Sequence, residues 1–192
     1  MAGDAGPAPC RSSRFDRTAA AAPPGRRFRA LLGAIVSQQV SVASAIAIVA
    51  RCEAAALHNP DVVRTATDED MRACGLSRQK IRYISALAEA QIDFDALRTA
   101  PTDRVIAILT EVPGIGRWTA EIYAMFSLGH ADVFAPNDLA LQEGARMLLD
   151  LPERPKEREM RVIAEQWSPW RAVAARLLWA YYAEAKKREG IR

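Results

Sequence analysis

The sequence predicts an all-α protein, and three observations carry that prediction. From Phe28 onward apolar residues recur at the three- and four-residue spacing of a helix face, and no run alternates apolar and polar residues strongly enough to compete as a strand. Glycine, proline, serine and threonine punctuate the chain where helices would begin and end. No internal repeat is visible.

Residues 1 to about 25 are rich in Ala, Pro, Ser and Arg and lack apolar periodicity, so they read as a flexible tail before a single domain over 26–190. "RFRALLGAIVSQQVSVASAIAIVARCEAA" then places Phe28, Leu31, Leu32, Ile35 and Val36 on one helical face. A second apolar stripe runs through Val42, Ala45, Ile46 and Val49, with the polar "SQQVS" as a junction between two helices. "TDEDMRACG" reads as a short helix with an acidic first turn, ended by Gly75. The next helix starts at Ser77 and buries Ile81, Ile84, Leu87 and Ala88.

Pro101 and Thr102 open a helix through "DRVIAILTEV", which Pro113 and Gly114 terminate. Arg117 to about Leu128 forms its partner and Gly129 ends it, which puts a helical hairpin at about 102–128. "HADVFAP" is irregular, with one extended segment. Helices resume at 138–149, at about 155–166, and after Pro169 through "WRAVAARLLWAYYAEAKKR".

A chain of 192 residues, half of them apolar, can bury a sizeable core without staples. The three cysteines, Cys10, Cys52 and Cys74, are odd in number and unclustered, which argues against a disulfide framework, a structural zinc or an iron-sulfur cluster. His58 and His130 have no Cys or His neighbours at metal-ligand spacing. No apolar run approaches the length needed to span a bilayer and the N-terminus has no secretory core, so a soluble, cytoplasmic protein is expected. The net charge of +3 is too small to identify a partner, and the excess of 22 Arg over 4 Lys suits phosphate recognition but also fits a GC-rich genome.

Within this helical frame a few residues stand out. "VPGIGR" between two amphipathic helices is either a tight turn or an anion site, since glycines admit close approach and the following helix opens with unpaired N–H groups. Trp118 begins an i, i+4, i+7 stripe with Ile122 and Met125. It serves either as core or as the wall of a pocket whose indole face attracts a cationic ring. In "FAPNDLALQEG" Asn137 is itself a good helix cap, which leaves the Asp138 carboxylate at the first turn available for chemistry. Capping is the alternative role for Asp138. Gln38 and Gln39 either satisfy helix ends or form a polar wedge. Trp167 and Trp170 read most simply as core aromatics.

Taken together, "VPGIGRWTAEIYAMF", "DVFAPNDLALQEGARML", "WSPWRAVAARLLWAYY", "AIVSQQVSVASA" and "GLSRQKIRYISALA" resemble the helix-hairpin-helix DNA glycosylase superfamily, and within it the DNA-3-methyladenine glycosylase II family. The resemblance spans approximately residues 24 to 185. It implies a two-lobed helical fold with the active site in the cleft between lobes, and excision of alkylated bases from double-stranded DNA by a monomeric enzyme. In that family's pattern Asp138 is catalytic, Trp118 and, less closely, Trp170 line the base pocket, and Ile122 stands where some members carry a pocket tyrosine. Backbone N–H groups of Gly114, Gly116 and Thr119 would hold DNA phosphates. Carbonyls of Thr110, Val112 and Gly114 would hold a sodium or potassium ion. Gln38 and Gln39 would face the minor groove, one of them filling the gap left by an extruded nucleotide.

Two further points follow from the resemblance, one on the reaction and one on the extent of the fold. Members that also cut the strand carry a lysine after the hairpin arginine, where this chain has Trp118, so a monofunctional, water-using glycosylase is expected. The family also has additional helical sequence before the segment matching Phe28. A superfamily member with another base specificity, and a helix-hairpin-helix DNA-binding module without excision, are the alternatives.

Overall fold

The computed structural model of the protein describes residues 24–188, and every regular element among them is helical. The expected tail lies outside the described residues except for Pro24 and Gly25, which already belong to the first helix. In chain order the helices are α1 (Pro24–Val36), α2 (Val42–Ala54), α3 (Pro60–Thr65), α4 (Asp68–Ala73), α5 (Arg78–Glu89) and α6 (Ala96–Thr99). Then come α7 (Thr102–Thr110), α8 (Arg117–Tyr123), α9 (Leu139–Leu148), α10 (Glu157–Glu165) and α11 (Arg171–Arg188). A π-helical turn, Ala124–Leu128, prolongs α8 and stops at Gly129, whose φ of 78° is left-handed. "HADVFAP" is irregular, as expected.

The described residues divide into two compact units, 24–129 and 130–188. In the first, α5 packs against α1, α3 and α4, α1 also touches α2 and α8, and α7 packs on α8. The stripes expected on α1 and α5 are the buried ones: Phe28, Leu31, Leu32, Ile35 and Val36 on α1, and Ile81, Ile84, Leu87 and Ala88 on α5. Each large side chain so buried contributes about 1.5–3 kcal/mol.

On α2 the expected face is right at Ala45 and wrong at Val42 and Ile46. Ala45, Ile48 and Cys52 turn inward, while Val42 is exposed and Ile46 is 66% exposed. The segment is apolar nearly all round, so periodicity gave no preferred side, and packing against α1 decided it. Cys52 and Cys74 are free and buried. Burial, with Cys74 beside it, pushes the Cys52 thiol up to about 12, which keeps it protonated and inert.

The helix starts reflect local chemistry. The Ser41, Asn59 and Ser77 side chains accept from N–H groups in the first turns of α2, α3 and α5. Thr67 and Asp70 form a reciprocal capping box on α4. Each such cap is worth about 1 kcal/mol.

In the second unit α9 lies along α11. Gly144 lets the helices approach, since a Cβ there would stand 3.1 Å from the carbonyl oxygen of Leu178. Trp167 packs on Phe134 with ring centroids 5.6 Å apart. Arg171 grips Asp132 with both arms, Nε to Oδ1 at 2.5 Å and Nη2 to Oδ2 at 2.8 Å, while Ser168 Oγ donates to Oδ2 at 3.0 Å. This fork ties the irregular segment before α9 to the first turn of α11.

Candidate functional site

The helical hairpin joins the carbonyl end of α7 to the N–H end of α8, so acceptor-rich and donor-rich backbone meet in one turn. Val112 N–H donates to the Leu109 carbonyl at 3.2 Å and Ile115 N–H to the Val112 carbonyl at 3.0 Å, which tightens the turn. Gly114 is required twice over. Its φ is +88°, and a Cβ on it would lie 2.4 Å from the Tyr83 ring. Gly116 is different: it caps α8 with an ordinary φ of −82°, and a Cβ there would meet nothing within 4 Å. The fold itself therefore does not demand glycine at 116. An open depression of about 580 Å³ lies against this turn, lined by Ile106, Thr110, Ile115, Gly116 and Arg117 among others.

The Gln38 and Gln39 junction sits on the same unit, and its two residues behave differently. Gln38 is turned back onto the hairpin, its Nε2 donating to the Gly114 carbonyl at 2.9 Å. Gln39 is exposed and left-handed, with a φ of 56°. The wedge expected of either glutamine thus resolves into one internal brace and one outward side chain.

The carbonyls of Val112 and Gly114 each accept one internal hydrogen bond. A carbonyl oxygen has two lone pairs, so each keeps the capacity to accept from or coordinate one further partner. Among the described residues no group of three His, Cys, Asp or Glu side chains could hold a metal ion.

On α8 the first-turn N–H groups of Arg117, Trp118 and Thr119 precede any i−4 carbonyl of the helix. Trp118 is half-buried and the Thr119 side chain is buried. Arg117 Nε pairs with the buried Glu121 carboxylate at 3.0 Å. Ile122, placed at a pocket position only by the resemblance, is fully buried together with Met125, as a core stripe on α8 requires. Neighbouring Tyr123 does not take its place. It is fully buried with Phe94 against it, and that burial pushes its phenol well above the usual range.

At Asp138 the structure realises the capping role that stood as the alternative. The cap of α9 is Asp138 itself, not Asn137, which is exposed. A turn in which Asp138 N–H donates to the Ala135 carbonyl at 3.0 Å brings the carboxylate over the helix start. Its Oδ1 accepts from the N–H groups of Ala140 and Leu141, both at 3.0 Å, and from Trp179 Nε1, also at 3.0 Å. Capping and a held carboxylate are therefore one arrangement, in a residue only 7% exposed. Trp179 was missed from sequence. The apolar run "RLLWAYY" gives no cue that its indole reaches a carboxylate 41 positions away. Trp170 was expected in the core or lining a pocket, and its side chain is 62% exposed at the start of α11.

Residues 32–169 match the model of the HhH-GPD superfamily base excision DNA repair protein family. The chain is 34% identical over 161 residues to DNA-3-methyladenine glycosylase 1 of Schizosaccharomyces pombe, covering 79% of this chain and 71% of that relative. Its fold is similar to the crystal structure of DNA-3-methyladenine glycosidase from Bacillus halodurans, with a TM-score of 0.76, 37% identity, and 81% and 75% of the two chains covered. A 3-methyladenine DNA glycosylase of Schizosaccharomyces pombe in complex with abasic DNA is similar at a TM-score of 0.68 and 33% identity, covering 80% of this chain and 79% of that one.

Proposed function

The chain belongs to the HhH-GPD superfamily of base excision DNA repair proteins, and from that premise we propose that it is a monofunctional glycosylase removing alkylated purines of the 3-methyladenine kind from duplex DNA. The observation that carries the reading is Asp138: a nearly buried carboxylate whose orientation is set by three N–H donors on one oxygen.

The backbone N–H groups of Gly114, Gly116 and Thr119 would grip phosphates at the opening of α8, where dipole and orphan donors favour an anion. Carbonyls of Thr110, Val112 and Gly114 would hold a sodium or potassium ion against the same strand. Such an ion would supply charge balance for the phosphate. Gln39, exposed and left-handed, is the residue to fill the gap when a nucleotide is extruded. Extrusion costs a few kcal/mol, least for a damaged or weakly paired base.

Alkylation of a purine ring nitrogen makes the base cationic, and the Trp118 face attracts it, with exposed Trp170 as a second aromatic surface. The C1′–N bond breaks with its electron pair leaving on the base, which neutralises the positive charge there. The sugar then carries oxocarbenium character that the Asp138 carboxylate stabilises while it helps orient water. Water adds to C1′, its proton passes to carboxylate or solvent, and an abasic site remains. Trp118 follows Arg117, so no amine stands at that position to form a Schiff base. Ile122, buried away from solvent, has no direct contact to make with the base.

The deciding experiment is release of free 3-methyladenine and 7-methylguanine from methylated duplex DNA, comparing the protein with Asp138→Asn. Release that depends on Asp138 is expected. Equal release by both would overturn the catalytic assignment, and no release by a folded protein that still binds DNA would move the reading to another lesion or to a DNA-binding role without excision.

A further inference from the structure

Lys80 lies in the first turn of α5, only 9% exposed, and its Nζ donates to the carbonyl of Val36 at 2.7 Å. Val36 is the last residue of α1, where unpaired carbonyls gather the negative end of the helix dipole. No carboxylate among the described residues forms an ion pair with this ammonium, and burial pushes its pKa down. An apolar side chain of similar length would fill the same space without desolvating a charge. What the cation adds beyond volume is its hydrogen bond to that carbonyl.

Directly after Val36 comes the junction that carries Gln38 and Gln39. Gln39 is non-glycine at a φ of 56°, a conformation that persists only where its surroundings over-determine it. The determinants are on both sides. Lys80 fixes the carbonyl just before the junction, and Gln38 braces its middle on the Gly114 carbonyl. Three residues beyond Lys80 on the same helix face, Tyr83 packs against Gly114 itself. Helix α5 thus holds both the junction and the hairpin, one through Lys80 and the other through Tyr83.

We propose that Lys80 is a positioning residue for base extrusion: its ammonium on the Val36 carbonyl holds residues 37–40 so that Gln39 is presented in its left-handed conformation, ready to occupy the space a flipped nucleotide leaves. This rests on the excision reading above. Lys80 touches no reacting atom, and its effect is confined to the step in which a paired base leaves the stack.

The test compares Lys80→Met with the unaltered full-length protein on one alkylated purine in two settings, paired in a duplex and opposite an abasic site, where extrusion is already easy. Single-turnover release from the paired lesion should slow by about tenfold or more, and release opposite the abasic site by less than about threefold. Equal slowing in both settings, or none in the duplex, would overturn the proposal. Lys80→Arg keeps the charge and donors but displaces them; should the Met variant not fold, the same split at about threefold is expected from the Arg variant, and its absence is equally decisive. Deuterium exchange in the DNA-free protein separates this inference from the excision reading. Amides of residues 37–41 should exchange about tenfold faster in either variant that folds, with α7 and α8 unchanged. If the unaltered protein releases no base, the excision reading fails, and unchanged exchange at 37–41 then overturns the role of Lys80 by itself.

Discussion

The Trp179 indole N–H donates to Oδ1 of Asp138 at 3.0 Å, joining the middle of α11 to the first residue before α9. With the N–H groups of Ala140 and Leu141, this indole holds the buried side chain in one orientation. Trp179→Phe removes the N–H while keeping an aromatic ring. Single-turnover base release should fall by about tenfold with DNA affinity unchanged, and urea melting should show a loss of about 1–2 kcal/mol.

Asp138→Asn and Asp138→Ala separate chemistry from capping. Asn keeps an oxygen to accept the N–H groups of Ala140 and Leu141, so it should stay within about 1 kcal/mol of the parent while losing about 100-fold or more in release. Ala should lose the activity and also about 1–2 kcal/mol more stability than Asn. Parallel melts and single-turnover assays check the two effects.

The two hairpin glycines should respond in opposite ways. Gly114→Ala meets the Tyr83 ring at 2.4 Å and a φ of +88°, so a stability loss of about 2 kcal/mol or more is expected in urea. Gly116→Ala meets nothing within 4 Å and should melt like the parent, yet bind duplex DNA about tenfold more weakly, read by anisotropy across a salt series.

Borohydride reduction during turnover should trap no covalent protein–DNA adduct, and the product strand should remain intact until treated with alkali. Both expectations rest on an indole rather than an amine at position 118. A substantial trapped adduct, read on a denaturing gel, would assign lyase chemistry to another residue.

Asp132 should set part of the acid response. The hydrogen bonds from Arg171 hold its carboxyl below the usual carboxylate range, with Ser168 assisting and partial burial opposing. A folded pKa below the unfolded one means that this group's contribution is fully present above about pH 4 and is lost as pH falls through the lowered folded value. The stability gap between the parent and Asp132→Asn should therefore be constant near neutrality and close below about pH 4, measured by denaturant melts at stepped pH.

The helices with one clear apolar side, α1 and α5, were legible because a single face explains their pattern. Helix α2 was not, since Ile46 and Ile48 are equally apolar and only tertiary contact sends one outward. The short helices α3 and α6 escaped notice because six and four residues carry too little periodicity, and Val63 and Leu97 hold them by burial. At the candidate site Asp138 and the hairpin glycines were visible as local motifs. Their supports were not: Gln38 reaches Gly114 across 76 positions and Trp179 reaches Asp138 across 41, and both are products of folding. The exchange of cap between Asn137 and Asp138 is a one-residue shift in where a helix begins, the least legible feature of any helix.

The π-helical turn at Ala124–Leu128 bears on how this chain aligns with shorter or longer kin. Such a turn accommodates one residue more than an α-helical turn of the same reach. A relative with a regular helix here would have one residue fewer in this stretch, and the compensating gap belongs inside 124–128. Placed beyond Asp138 instead, that gap would set the wrong residue of an Asn-Asp pair against its counterpart.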